Sequence, residues 1–115
     1  MASKSFTLRI RGADKDIFDA LKKGKKKVET RAATSKYRAI KAGDIFVFVC
    51  GNRKLKKRVC AASVFKTPAI LLKKYKVKDI NPDLKTEKEL KDMWLSFPGY
   101  AEKIKKHGLI AVKLE

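Results

Sequence analysis

Residues 45–66 decide the fold: Ile45-Phe46-Val47-Phe48-Val49-Cys50, then Gly51-Asn52, then Arg53-Lys54-Leu55-Lys56-Lys57-Arg58-Val59 and on to Lys66. The first six residues are apolar, unbroken and rich in β-branched and aromatic side chains. A run this short and of this composition predicts a buried strand. Gly51-Asn52 turns the chain, and residues 54–66 form the return strand. Side chains alternate along a strand, so Lys54, Lys56 and Arg58 share one face while Leu55, Lys57 and Val59 share the other. With the tip near 51–53, Cys50 and Cys60 do not stand opposite each other, and no cross-strand disulfide is expected.

Working outward, residues 5–10 alternate and predict a strand, and Asp14 opens a short helix with Ile17, Phe18 and Leu21 on one face. Gly24 stops it. Residues 26–32 return to strand alternation, with Val28 and Thr30 on one side and Lys27, Glu29 and Arg31 on the other. Residues 33–39 read as a polar loop, and Ala42-Gly43-Asp44 as a turn. Beyond the hairpin, Thr67-Pro68 caps a short helix carrying Ile70, Leu71, Leu72 and Tyr75. Asn81-Pro82 breaks the chain, and Thr86-Glu87-Lys88-Glu89 is a capping box opening a helix with Leu90, Met93 and Trp94 inward. Phe97-Pro98-Gly99-Tyr100 interrupts it. A last helix turns Tyr100, Ala101 and Ile104 inward and stops at Gly108; residues 109–114 close the chain as a strand. The order predicts an α+β fold, a small curved sheet or open β-barrel flanked by short helices.

The 115 residues suit one domain, 1–115, built around one core. Neither a membrane-length apolar run nor a signal-peptide core is legible, so a cytoplasmic monomer with reduced thiols is expected. Two cysteines and one histidine exclude a zinc site, and no metal or other cofactor is expected. Thirty Lys and Arg against twelve Asp and Glu give a net charge of +18. Residues 1–40 carry +8, residues 41–80 carry +9 and residues 81–115 only +1. Nucleic acid is the expected partner of such an excess. The competing explanation is a generally lysine-rich surface, since Lys outnumbers Arg 24 to 6. A membrane surface fits less well, because no basic amphipathic helix with bulky anchors is present.

Three segments resemble the ASCH domain family, whose fold is PUA-like. Gly24-Lys25-Lys26-Lys27-Val28-Glu29-Thr30-Arg31 is similar to its G-x-K-x-x-E-x-R pattern. Lys41-Ala42-Gly43-Asp44, with the apolar strand after it, is similar to its basic-x-Gly-Asp turn. Pro98-Gly99-Tyr100 and Lys105–Val112 are similar to its closing helix and strand. The resemblance implies a β-barrel with a cleft beside the Glu-x-Arg strand, and action on RNA or nucleotides. Some members hydrolyse an acylated cytidine using a Lys, a Thr and a Glu, and some are described as cutting RNA. Lys26 matches that Lys, but Glu29 stands where the nucleophilic Thr is expected. Thr30 faces the other way, and Thr34 and Ser35 lie in the next loop. A carboxylate does not replace a hydroxyl nucleophile simply.

Strand parity and the resemblance together assign Lys26, Glu29 and Arg31 to a ligand cleft. Arg31 would grip phosphate or a base edge, and Glu29 would accept from an amine or hydroxyl. Lys36 and Tyr37 are assigned to its rim, where Tyr37 either stacks on an unpaired base or packs against the barrel edge. Trp94 reads as core, and Phe97 or Tyr100 reaches the cleft only as the lesser alternative. Lys25, Lys27, Arg53, Lys54, Lys56 and Arg58 are assigned to the nucleic-acid backbone. Lys73–Lys78 forms a third basic cluster. RNA or nucleotide binding is the leading function. The alternatives are a hydrolase of a modified nucleoside or of RNA, with Lys26 and Glu29 as candidate catalytic residues, and a charge-driven ribonucleoprotein accessory protein.

Overall fold

The computed structural model describes residues 4–115. Five strands form one sheet in the order β1-β3-β4-β5-β2. They are β1 (Ser5–Arg9), β2 (Val28–Ala32), β3 (Ile45–Cys50), β4 (Arg53–Phe65) and β5 (Leu109–Leu114). β1 runs parallel to β3, and the other three pairings are antiparallel. The hairpin read from the sequence is the centre of this sheet. Its return strand serves two partners: the first half of β4 pairs with β3, and the second half, from Val59 on and with an irregularity between Val59 and Ala61, pairs with β5. A bulge increases local twist, which lets one strand turn from one partner to the other. β1 and β2 are left as the two edges of a half-barrel. The α+β architecture is as the sequence predicts.

The helices are α1 (Lys15–Lys22), α2 (Ser35–Arg38), α3 (Pro68–Lys74), α4 (Val77–Ile80), α5 (Glu87–Ser96) and α6 (Tyr100–His107). Thr67 caps α3 through the Ile70 N–H, and the capping box of α5 forms in both directions between Thr86 and Glu89. Several expectations are corrected. Residues 35–38 form a helical turn, not loop, and α4 was not legible. Ile70 is 45% exposed, because the buried side of the short α3 is taken by Leu71 and Leu72. Ala101 faces solvent, and Ile104 alone is buried on α6.

The core is divided in two, where one was expected. Every residue of β5 except Lys113 is buried, so both of its faces are covered. Ile110, Val112 and Leu114 join Phe6, Phe46, Phe48 and Phe18 inside the half-barrel. Leu109 and Ala111 join Val28, Leu90 and Trp94 beneath the helices. Such a strand loses its polar face and becomes a continuous apolar run, as Leu109–Val112 is. Both cysteines are free, Cys50 buried and Cys60 exposed.

Gly108 joins the two layers at the end of α6. Its φ of 80° is left-handed, and a Cβ there would collide with the Phe65 carbonyl oxygen at the end of β4. Among the described residues, no helix is long and apolar enough to cross a membrane.

Candidate functional site

The two open edges of the sheet contribute to one cavity of about 350 Å³. Glu29, Thr30 and Arg31 of β2 form one side. Arg9 and Ile10 at the end of β1, with Ile17 and Ala20 of α1, form another. Asn81–Asp83, Met93, Trp94, Phe97 and Tyr100 complete it.

Lys26 is placed by the turn after α1. Gly24 takes a left-handed φ of 76°, and the N–H groups of Lys25 and Lys26 both donate to the Ala20 carbonyl. This folds the Lys26 side chain inward while Lys25 and Lys27 stay exposed. The buried ammonium donates to the carbonyls of Val28 at 3.1 Å and Ile80 at 2.5 Å, and lies 4.0 Å from Glu29 Oε2. It therefore ties the end of α4 to β2. Burial lowers the Lys26 pKa; Glu29 opposes that shift and Arg31 adds to it.

Glu29 is buried, and its Oε1 accepts from the Thr30 N–H at 3.1 Å. Arg31 is two residues on and faces the same side, with its Nε 3.7 Å from Glu29 Oε1. That distance is beyond hydrogen-bond reach. Arg31 Nε is a buried donor with no partner. Burial acts to lower the Arg31 pKa, but Glu29, Tyr100 and Tyr37 outweigh it and raise it. On the other side of the strand, the Thr30 hydroxyl accepts from Trp94 Nε1 at 3.0 Å. This bond fixes β2 against α5 and holds the indole at the cavity wall. Phe97 and Tyr100 meet edge to face, with ring centroids 5.2 Å apart.

The cavity is charge-balanced, although the chain is strongly basic. Arg9, Arg11, Lys26 and Arg31 face Asp14, Asp16, Glu29 and Asp83. Arg11 and Asp14 already bridge each other at 2.9 Å. A fixed carboxylate acceptor thus stands beside an unmet guanidinium donor, with aromatic surface around them. Such a pair suits a planar polar ring that presents a donor next to an acceptor. No group of three or more His, Cys, Asp or Glu among the described residues is arranged to hold a metal ion.

The structure brings Lys26, Glu29 and Arg31 together on this cavity and leaves Lys36 and Tyr37 out of its lining. Tyr37 packs against the half-barrel core, with Arg31 Cζ 5.9 Å and Lys36 Nζ 5.3 Å from its ring. The helical turn of α2 lays it against that core. Arg53 departs from its neighbours too. Its guanidinium is 2.9 Å from Asp19 and lies 4.3 Å above the Phe18 ring. Lys54, Lys56 and Arg58 are exposed. The sequence reading gave the cavity no part in Arg9, Met93 or Asn81–Asp83. Trp94 is core and cavity wall at once, which helical periodicity alone does not reveal.

Solved structures similar to this fold include the following two. The hypothetical protein PH0355 has a TM-score of 0.80 and 28% identity, over 96% of this chain and 97% of that one. The solution structure of PF0455 from Pyrococcus furiosus has a TM-score of 0.76 and 30% identity, over 96% of each chain. This chain belongs to the same family as PF0455. The PF0455 family fold is thus the curved-sheet domain described above, and the likeness runs over nearly the whole chain. No protein-family model and no curated protein matches the chain.

Proposed function

We propose that this protein binds RNA or a nucleotide by seating an unpaired base in the Glu29–Arg31 cavity. The observation that carries the reading is the buried Arg31 Nε without a partner, held beside the buried Glu29 carboxylate. An unmet buried donor costs about 1–3 kcal/mol, which a ligand acceptor would recover. Glu29 accepts from an exocyclic amine or ring N–H of the base, and Arg31 donates to the neighbouring acceptor. Trp94, Phe97 and Tyr100 supply the apolar surface against which a base packs. The net charge of +18 supports a polyanionic partner. The ASCH resemblance supports the same class of ligand.

Binding rather than turnover is favoured by Lys26. Two of its three N–H groups are spent on the Val28 and Ile80 carbonyls, and Glu29 is its other polar neighbour. It has little left with which to stabilise an oxyanion. The test is fluorescence anisotropy with short single-stranded RNA, alongside turnover of acetylated cytidine. Glu29→Gln keeps the side-chain shape and replaces one acceptor oxygen by a donor. It should weaken binding about tenfold or more, and neither protein should turn over the acetylated nucleoside. Equal binding by both proteins would refute the cavity reading, and turnover abolished by Glu29→Gln would replace it with catalysis.

A further inference from the structure

The register of the sheet lines up a second surface. On the side of β1, β3 and β4 turned away from the core, three rows cross the strands: Ser5–Ile45–Arg58, Thr7–Val47–Lys56 and Arg9–Val49–Lys54. Ser5, Thr7, Arg9, Lys54, Lys56 and Arg58 are exposed, and Ile45, Val47 and Val49 are half-buried. None of these nine positions is acidic. A half-covered aliphatic stripe therefore runs between a cationic border on β4 and Arg9 on β1. The cations on β4 stand two residues apart, about 6.8 Å along an antiparallel strand. That repeat is comparable to the spacing of successive phosphates on an extended single strand. Arg9 belongs to both surfaces, because it ends the row that begins at Lys54 and also lines the cavity. Arg53, despite its place next to Lys54, is engaged by Asp19 and Phe18 and stands outside these rows.

We propose that this outer sheet face is the phosphate track of a single-stranded RNA whose unpaired base occupies the cavity, with Arg9 at the junction. The partner follows from charge complementarity: a regular row of cations without carboxylates fits a regular row of phosphates. The aliphatic stripe gives the sugars an apolar surface while reading no sequence. The proposal rests on the cavity reading, and its test separates the two.

Binding of a short single-stranded RNA is measured by anisotropy across a salt series. Four phosphate contacts give a slope of log K against log salt of about −3. Replacing Arg9, Lys54, Lys56 and Arg58 together by Gln should bring the slope close to zero. Replacing Lys73, Lys76 and Lys78 by Gln should leave it near the wild-type value, as should Arg53→Gln. Circular dichroism checks that each variant is folded, and a variant carrying only Lys54→Gln and Lys56→Gln, both on exposed positions, should lose about half of the slope. A wild-type slope retained in the folded quadruple variant overturns the track and leaves the cavity reading intact. An equal loss in the Lys73, Lys76 and Lys78 variant overturns it in favour of diffuse charge. Unaltered affinity in Glu29→Gln, with the slope lost in the quadruple variant, refutes the cavity reading and keeps the track. No binding by the wild type at low salt overturns both.

Discussion

In the cavity, four cations meet four carboxylates around one space; on the outer face of β1, β3 and β4, four cations stand with no carboxylate among nine positions. Arg9 is common to both. Burial accounts for part of the difference, through Lys26 and Glu29. Buried charges are held by pairing and hydrogen bonds, so Lys26, Glu29 and Arg31 constrain one another, and Arg31 Nε is left as the donor without a partner. An exposed charge carries no such obligation. Lys54, Lys56 and Arg58 need only hold their positions along the strand. Fixed, balanced groups give choice among ligands, while free cations give affinity that salt removes.

The sharpest way to break this contrast is Lys26→Met. It removes a buried ammonium that serves two carbonyls and faces Glu29. Urea denaturation should show a loss of about 3 kcal/mol, within the range for breaking a buried ionic group. Unchanged stability would mean that this cluster does not hold α4 against β2. The same variant tests a pH effect. Burial holds the folded Lys26 pKa below its ordinary value of 10.5, so in that window the unfolded chain binds more protons than the folded one. Stability from this group therefore rises as pH climbs towards 10.5 and levels beyond it. Subtracting the Lys26→Met profile from the wild-type profile should expose that rise, and parallel profiles would exclude it.

Arg31→Lys comes next. An ammonium keeps the charge but lacks the Nε that faces Glu29. RNA affinity should fall by about ten- to a hundredfold, the range for a charged hydrogen bond, with the salt slope unchanged. A changed slope would move Arg31 to the phosphate side of the comparison. Trp94→Phe removes the Nε1 donor to Thr30 and should cost about 1–2 kcal/mol of stability by thermal denaturation. The smallest effect is expected for Arg53→Gln. Its bond to Asp19 joins two partly exposed side chains, so melting temperature should stay close to wild type.

What the sequence reveals follows the range over which each feature is encoded. The β3–β4 hairpin is local, written in an apolar run, a Gly-Asn turn and an alternating return. The α5 capping box is equally local, and so is the parity that puts Glu29 and Arg31 on one side. Lys26 is different. It lies in a run of lysines, and the identity of the buried one depends on the Gly24 turn and on the Ile80 carbonyl, 54 residues away. Arg53 is held by Asp19, 34 residues earlier. Tyr37 sits in a segment too short for a periodic signal, as does α4. Trp94 shows a helical core position in sequence, and only the packing of α5 over β2 makes it a cavity wall. The positions of the cavity's distant walls are set by tertiary contacts, which no local pattern records.

The pairing of β2 has a consequence for how the molecule assembles. Val28 pairs with Lys113, so the strand carrying Glu29 and Arg31 docks only when β5 arrives. The β3–β4 hairpin closes over a two-residue turn and can form early, whereas the β2–β5 pairing joins residues 28–32 to residues 109–113. Closing long loops is entropically slow and tends to come late. The ribbon bearing Lys54, Lys56 and Arg58 thus precedes the docking of the strand bearing Glu29 and Arg31, which waits for β5.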